Sequence, residues 1–478
     1  MERGPSECEL DATLLPASGA AVAPGGALDP AQRARRAVAR TVLRLAAPLE
    51  PRLLERFGKH SPAIQRARAW KKRLRSETSP VEEATGSGGP APAPPAASPP
   101  QLPFGVNLAG YVRGEFGVAE MARASAAALA AVGVPHVLIE ARTHVHRHLD
   151  PRVTAVSDAN PFGINLIHVN ADQVHAFREQ RGPGFFQDRR NIGVWFWEVE
   201  PFPSRWPDAF RALDEIWVAS RHVHTIVSRA SPIPVVHVPF PLHVAATPLP
   251  LERARYGIPG DAFAFLFHFD FLSELERKNP LGAVRAFQRA FAGGEPVALV
   301  VKSINSEHAP EALARLREAI GGDARIVHLD GHVTRDELLS LVAGCDGYLS
   351  LHRAEGLGLG LAEALSFGKP VVATGYSGNL DFMTPSNSFL VGYELVTLDH
   401  DHGPYAAGSR WAEPDLGHAA ELLRMVVRYP DLGHARGARG ARELAAEWSA
   451  ARAGRAMLER LRLVAPDLAI VEAHADTP

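Results

Sequence analysis

The segment from residue 347 to residue 373 constrains the fold of this 478-residue chain more than any other part of its sequence. Its first five residues, Gly347 to Leu351, predict a buried strand, and residues 371–373 predict the next one. Between them lies a loop with glycine at alternate positions, followed by a helix-like stretch that ends at Gly368. A strand, a loop, a helix and a second strand favour a parallel sheet that is covered by helices.

Two glutamates, Glu355 and Glu363, lie eight positions apart in this segment. Glycines at 356, 358 and 360 let the backbone pass close to a ligand. The helix that begins near Gly360 offers free N–H groups and a positive dipole end, which suit a phosphate. Glu363 lies about one turn into that helix, where a carboxylate can accept hydrogen bonds from a sugar diol. The segment therefore predicts a site for a phosphate and a polyhydroxylated group together.

The alternation of apolar strands and helices runs through most of the chain. Strand-like segments begin near residues 104, 136, 163, 191, 215, 235, 262, 297, 325, 348 and 371. Strands that alternate with helices in this way predict parallel sheets with helices on both faces. We therefore predict an α/β fold with two Rossmann-like domains that face a cleft. A ligand would bind in that cleft, at the carboxyl ends of the strands.

This pattern divides the chain into four segments. Residues 1–102 are predicted to be a disordered and basic amphipathic arm that ends in a Pro/Ala/Gly-rich linker. Residues 103–245 and 246–425 are the two Rossmann-like domains, and residues 426–478 are C-terminal helices and a tail. Within the arm, residues 33–75 have a net charge of +12, whereas the whole chain has a net charge of −2. Such a stretch either lies on an anionic membrane surface or is a solvated arm.

The composition excludes several classes of protein. A hydrophobic content of 46% and a charged content of 22% are typical of a soluble globular protein. No apolar run approaches the roughly 20 residues that span a bilayer. The two cysteines, Cys8 and Cys345, are too few for a disulfide framework, so we expect a reducing cytoplasm. No motif for nucleic-acid binding is present, and we predict no nucleic-acid partner.

Further candidate site residues lie near predicted strand ends. Arg277 and Lys278 precede a helix, where their positive charges suit a phosphate. His168 ends an apolar strand and is either a ligand contact or a structural histidine. Gly110 and Gly114 lie in a glycine-rich segment that is either a phosphate cradle or a tight turn. That segment does not have the G-x-G-x-x-G spacing, so it gives little support for dinucleotide binding.

The segment from Glu355 to Glu363 resembles the E-x(7)-E motif of retaining glycosyltransferases of the GT-B fold, in particular family 4. The resemblance covers roughly residues 103–465. It implies that Glu355 lies by the donor sugar as a catalytic residue and that Glu363 binds the nucleotide ribose. It also implies that His168 contacts the donor sugar.

The same resemblance implies a donor-binding set. Lys278 matches the lysine of the family's diphosphate clamp, but the usual earlier arginine falls on Leu272 or Ser273. Arg277 is the candidate to replace that arginine. The remaining donor-binding candidates that the resemblance implies are the glycines Gly110, Gly114, Gly356, Gly358 and Gly360.

As a function, the resemblance implies a hexosyltransferase-type enzyme that moves a sugar from a nucleotide-sugar to a hydroxyl acceptor. The acceptor would be a saccharide or a lipid-linked saccharide in bacterial polysaccharide or glycolipid synthesis. GT-B enzymes are in general metal-independent, so we expect no catalytic metal and no cofactor. We expect a cytoplasmic protein, and residues 33–75 leave open a peripheral place at the inner face of the plasma membrane. Two alternatives are a nucleotide-sugar epimerase on the same fold and an inactive GT-B subunit that binds a nucleotide or acts as a scaffold.

Overall fold

The computed structural model describes residues 102–142 and 147–468. Their first half forms a six-stranded parallel sheet in the spatial order β2-β1-β3-β4-β5-β6. Its strands are β1 (Val106–Gly110), β2 (His136–Glu140), β3 (Ile164–His168), β4 (Arg190–Trp195), β5 (Glu215–Val218) and β6 (Val235–His237). Two interior strands, β1 and β3, are buried along their whole length, as expected for a sheet that is covered on both faces.

The second half forms another six-stranded parallel sheet, in the order β12-β11-β10-β7-β8-β9. Its strands are β7 (Phe263–Asp270), β8 (Val297–Ile304), β9 (Ile326–Asp330), β10 (Gly347–Ser350), β11 (Val371–Thr374) and β12 (Phe389–Val391). An antiparallel hairpin of β13 (Tyr393–Thr397) and β14 (Arg410–Pro414) follows. Neither this hairpin nor β12 is among the strands that the sequence predicted.

Helices connect the strands and cover the sheets. They are α1 (Gly117–Ala131), α2 (Ala171–Arg181), α3 (Arg221–Ser228), α4 (Leu275–Lys278), α5 (Pro280–Ala290), α6 (Pro310–Ile320), α7 (Arg335–Gly344), α8 (Leu359–Ser366), α9 (Leu416–Arg428), α10 (Pro430–Glu447) and α11 (Ala450–Val464). Helix α7 begins with a capping box in which Thr334 and Glu337 satisfy each other's backbone N–H groups. The last helix, α11, returns to pack against α1 of the first half.

The architecture confirms the predicted α/β fold with two Rossmann-like units that face a cleft. Strand β4 stops at Trp195, and the next backbone N–H, of Phe196, donates to the Asn170 side chain at 2.9 Å. The predicted basic arm, including residues 33–75, lies outside the described residues. Among the described residues, no helix is long and apolar enough to cross a membrane.

Candidate active site

A cleft of about 900 Å³ lies between the two sheets. The second half lines it with the ends of β7, β8 and β10 and with the loop before α8. The first half lines it with the start of α1 and with Phe196 and Glu198, which follow β4. Parallel strands of both halves therefore direct their carboxyl ends toward one space, where ligands of α/β proteins bind.

Glu355 lies in the loop before α8 and is held by two cations. Its Oε1 atom lies 2.6 Å from Nζ of Lys278, and its Oε2 atom lies 3.4 Å from Nη1 of Arg277. Its backbone N–H donates to the Ser377 hydroxyl at 2.8 Å. Burial would raise the pKa of Glu355, but attraction to Lys278, Arg277 and His352 outweighs burial and lowers this pKa to about 2. Glu355 is therefore ionised at neutral pH and fixed in position.

Arg277 is buried between carboxylates that come from both halves of the chain. Besides Glu355, its Nη2 atom lies 3.8 Å from Oε1 of Glu198. Its Nη1 atom also donates to the Ala354 carbonyl at 2.9 Å. Burial alone would lower the pKa of Arg277, but attraction to Glu198, the Tyr405 hydroxyl and Glu355 raises it above the ordinary value. The guanidinium is a fixed positive charge at the cleft.

Glu363 lies on the cleft side of α8 and has one uncommitted oxygen. Its Oε1 atom lies 2.7 Å from Nη2 of Arg335, the first residue of α7. Its Oε2 atom is buried and accepts no hydrogen bond from any described residue; the nearest cation candidate is Nε2 of His268, at 3.9 Å. Burial lowers the pKa of His268 to about 4, so this imidazole is neutral at pH 7. A buried carboxylate oxygen that lacks a donor is suited to a ligand hydroxyl.

The three glycines of the loop line the cleft, and the lack of a side chain has a different structural effect at each position. Gly358 caps α8 with a φ of +94°, a conformation that favours glycine. A Cβ atom on Gly360 would lie 2.5 Å from the Tyr348 hydroxyl, so this position has no room for a side chain. Gly356 faces the first half across the cleft, because its Cβ position is 3.7 Å from side-chain atoms of both Phe196 and Glu198. No side chain caps the N-terminus of α8, which opens on the cleft.

Gly110 and Gly114 do not line the cleft. Gly110 ends β1, and a Cβ atom there would lie 2.8 Å from Cβ of His168 on the neighbouring strand. A Cβ atom on Gly114 would lie 2.5 Å from the Phe116 ring. Both glycines therefore permit close packing inside the first half. The cleft is lined instead by the residues that follow them, from Glu115 to Val118.

His168 is also separated from the other candidates. It is completely buried at the end of β3, lies edge-on to Phe240 and does not line the cleft. Neither ring nitrogen makes a hydrogen bond with any described residue. Burial lowers the pKa of His168 to about 3, so the ring is neutral. The structure thus brings together Glu355, Arg277, Lys278 and Glu363 and leaves His168 in the core of the first half.

Sequence reasoning missed several residues of the cleft. Arg335 was not singled out, although the Thr334–Glu337 capping pattern after a strand marks a helix start at the ligand-binding edge. Glu120 of α1 lies 3.9 Å from Arg335 and 2.7 Å from Arg152, so it extends this ion-pair network into the first half. Tyr405, from the loop between β13 and β14, does not line the cleft itself, but its hydroxyl donates to Glu198, which does. No local pattern indicated this contact.

A group that could hold a metal lies away from the cleft. Asp399, His400 and His402 place ligand-type atoms within 4.8 Å of one another in the loop between β13 and β14. None of the three residues lines the cleft. The expectation of a metal-independent reaction remains a prediction.

Part of the second half is similar to a known protein family. Residues 267–396 match the family model described as Glycosyl transferases group 1. This range contains Arg277, Lys278, Glu355 and Glu363. No curated protein sequence matches the chain.

Solved structures show the same fold at low sequence identity. The chain is similar to Anabaena Alr3699/HepE, solved in complex with UDP and glucose, at 12% identity and a TM-score of 0.55, with 75% of this chain and 100% of that chain covered. It is similar to a sucrose-phosphate synthase from Thermosynechococcus elongatus at 14% identity and a TM-score of 0.52, with 77% and 96% covered. It spans 57% of the pneumococcal O-GlcNAc transferase GtfA, with 64% of this chain covered, 14% identity and a TM-score of 0.45.

Proposed function

We propose that this chain, which has a GT-B fold and matches the group 1 glycosyl transferase model over residues 267–396, is a retaining glycosyltransferase. It would move a sugar from a nucleotide-sugar donor to a hydroxyl acceptor. The observation that supports this proposal best is the convergence of Glu355, Lys278, Arg277 and Glu363 in one cleft. The cations suit a diphosphate, and the uncommitted Glu363 oxygen suits a ribose hydroxyl.

In this proposal the donor diphosphate lies against Lys278, Arg277 and the N-terminus of α8. The bond between the anomeric carbon and the phosphate oxygen breaks, and its electron pair leaves with the nucleoside diphosphate. Negative charge grows on the phosphate as it departs, so cations that are already in position stabilise the transition state more than the ground state. Each charge-assisted contact contributes about 1.5–3 kcal/mol.

Glu355 would lie beside the donor sugar and stabilise the positive charge that develops at the anomeric carbon. The acceptor oxygen would attack the same face that the phosphate leaves, which retains the anomeric configuration. The departing phosphate would take the proton of the acceptor hydroxyl, so no protein base is needed. Glu355 is suited to a charge-stabilising role because it is ionised and held by Lys278 and Arg277.

The proposed setting is bacterial polysaccharide or glycolipid synthesis in the cytoplasm, without a metal or another cofactor. The net charge of +12 in residues 33–75 supports an anionic membrane surface as a partner, where a lipid-linked acceptor would be available. Sedimentation of the full chain with vesicles of neutral lipid and of 30% anionic lipid tests this setting. Equal sedimentation with both vesicles would remove the membrane from the proposal.

The first experiment is thermal unfolding of the full chain with UDP, GDP, ADP, dTDP or CMP. A ligand at 100 times its dissociation constant stabilises a protein by about 2.7 kcal/mol. We expect one nucleotide to raise the melting temperature, and we expect Glu363→Ala and Lys278→Ala to lose this effect. No stabilisation by any nucleotide would contradict the proposed donor site.

Product analysis separates the enzyme from its alternatives. With the matching nucleotide-sugar, NMR should show nucleoside diphosphate release and a product of unchanged anomeric configuration. Conversion of the donor sugar without nucleotide release would instead identify an epimerase. Nucleotide binding without turnover against a panel of saccharide acceptors would favour a scaffold subunit.

A further inference from the structure

Glu198 lies on the first-half wall of the cleft, opposite the loop that holds Glu355. It follows β4, and its Cγ atom lies 3.7 Å from the position that a Cβ atom on Gly356 would take. Phe196, two residues earlier, lies at the same 3.7 Å from that position. A carboxylate beside an aromatic ring can bind sugar hydroxyls while the ring packs against the sugar's apolar face.

The Glu198 carboxylate is held in place through one of its two oxygens, and the other oxygen accepts no hydrogen bond from a described residue. Its Oε2 atom accepts a hydrogen bond from the Tyr405 hydroxyl at 2.7 Å. Its Oε1 atom lies 3.8 Å from Nη2 of Arg277, beyond hydrogen-bond distance. The side chain is 18% exposed, so Glu198 is reached from the cleft. Because Arg277 also contacts Glu355, the two carboxylates lie on either side of one guanidinium.

Binding of a donor diphosphate changes this balance of charge. The positive charges of Arg277 and Lys278 would then be compensated by phosphate oxygens as well as by the carboxylates. A sugar attached to that diphosphate would lie in the cleft that Glu355 and Glu198 both line. Two carboxylates at short range attract hydroxyl donors and repel another carboxylate.

Resting on the proposed function, we propose that Glu198 completes the donor-sugar site and makes it selective for neutral sugars over uronic acids. Its free oxygen accepts a hydrogen bond from a donor-sugar hydroxyl, and its charge opposes a sugar carboxylate. Phe196 supplies the adjacent apolar surface. Specificity of this kind comes from a repulsive element as well as an attractive one.

The test measures three affinities by calorimetry for the full chain and its Glu198→Gln variant. The probes are the nucleoside diphosphate that stabilises the chain, its glucose conjugate and its glucuronate conjugate. The unmodified chain should bind the glucose conjugate at least about tenfold more tightly than the glucuronate conjugate, the factor for one charge-assisted contact. In Glu198→Gln this ratio should fall by about tenfold, while affinity for the diphosphate alone should not weaken, because the change removes a negative charge beside Arg277.

Glu200→Gln is the matched control, because Glu200 lies two residues further on and pairs with Arg410 and Arg229 outside the cleft. This variant should keep the original ratio. Equal affinity for the two conjugates in the unmodified chain, or a ratio that Glu198→Gln leaves unchanged, would overturn the role of Glu198. Both outcomes require diphosphate binding, so they differ from failure of the proposed function, in which no nucleotide binds. Binding of the diphosphate by Glu198→Gln also shows that the variant is folded.

Discussion

Arg335 Nη2 lies 2.7 Å from Oε1 of Glu363, and the same nitrogen lies 3.9 Å from Oε1 of Glu120. One guanidinium therefore contacts the carboxylate on α8 of the second half and a carboxylate on α1 of the first half. The arrangement holds Glu363 by one oxygen and leaves the other without a hydrogen-bond donor among the described residues. Arg335 thus orients Glu363 toward the cleft and links the two halves beside it.

The uncommitted oxygen of Glu363 leads to a prediction about the ribose. If Glu363 binds the ribose diol, the chain should bind UDP more tightly than 2′-deoxy-UDP. If the chain binds a different base, the ribonucleoside diphosphate and the 2′-deoxynucleoside diphosphate of that base are compared instead. A hydrogen bond to a charged group contributes about 1.5–3 kcal/mol, so the difference should be about 10- to 100-fold. Calorimetry should show that Glu363→Ala binds both nucleotides equally weakly.

Glu421→Ala, an exposed carboxylate on α9, is the control and should retain the preference for the ribonucleotide. If Glu363→Ala still discriminates between the two nucleotides, Glu363 does not bind the ribose.

Lys278 should contribute to affinity through the diphosphate and not through the nucleoside. Its ammonium lies 2.6 Å from Glu355, so it is already fixed where a phosphate would bind. Lys278→Ala should weaken binding of the nucleoside diphosphate by about 10- to 100-fold and leave the weak binding of the nucleoside unchanged. Titration of both ligands into both proteins checks this prediction. An equal loss for nucleoside and diphosphate would indicate a distorted site.

Gly360 should tolerate no side chain because of Tyr348. A Cβ atom at this position would lie 2.5 Å from the Tyr348 hydroxyl and 2.8 Å from Cε1 of His268. Gly360→Ala should therefore lower the free energy of unfolding by about 1–3 kcal/mol, the usual cost of overpacking. Urea denaturation gives this value.

Tyr348→Phe removes the hydroxyl and its 3.1 Å contact with His268, at a cost of about 1 kcal/mol. The double variant Gly360→Ala/Tyr348→Phe should then lose less free energy of unfolding than the sum of the losses in the two single variants. Strict additivity would show that the Tyr348 hydroxyl does not limit position 360.

His168 should make the chain sensitive to mild acid. Burial lowers its pKa from 6.5 to about 3, so the folded protein keeps the ring neutral while the unfolded chain takes up a proton below pH 6.5. The contribution of His168 to the free energy of unfolding is therefore fully present above pH 6.5. It falls as the pH drops toward 3, with a slope of about 1.4 kcal/mol per pH unit. Below pH 3 the contribution of this group becomes constant.

Urea denaturation of His168→Asn between pH 7 and pH 4 measures this contribution. The variant should lose less stability over this range than the original chain, whatever its stability at pH 7. Replacement of the exposed His434 by Asn is the control and should leave the pH dependence unchanged. Parallel pH profiles for His168→Asn and the original chain would contradict the assignment.

Local patterns predicted eleven of the twelve strands that form the two sheets; the three-residue edge strand β12 was missed. Apolar runs such as residues 297–302 form β8. The loop that follows Glu355 precedes a helix, as expected. Patterns of this kind succeed because a strand that is buried on both faces needs a continuous apolar run. The hairpin β13–β14 was missed, because β13 is mostly exposed and has no such run.

Part of the candidate site was predictable from the positions of its residues relative to the predicted strands and helices. Glu355, Lys278 and Glu363 lie next to a predicted strand end or helix start, and parallel topology brings such positions to one edge. His168 also ends a strand, but its side chain is buried in the first half. The direction in which a side chain points depends on what packs around it, and strand-end position alone does not determine it.

The sequence by itself determined the alternation of strands and helices, the glycine-rich turn before α8 and the residue types available for a phosphate and a diol. These features depend on backbone geometry and burial over a few neighbouring residues. Only the tertiary structure decided that Glu198, Arg335 and Glu120 line the cleft and that Tyr405 contacts Glu198. Tyr405 and Glu198 are 207 positions apart and meet because the loop between β13 and β14 packs against the segment after β4. A contact of that separation follows from how the two halves pack together, and no local pattern contains that information.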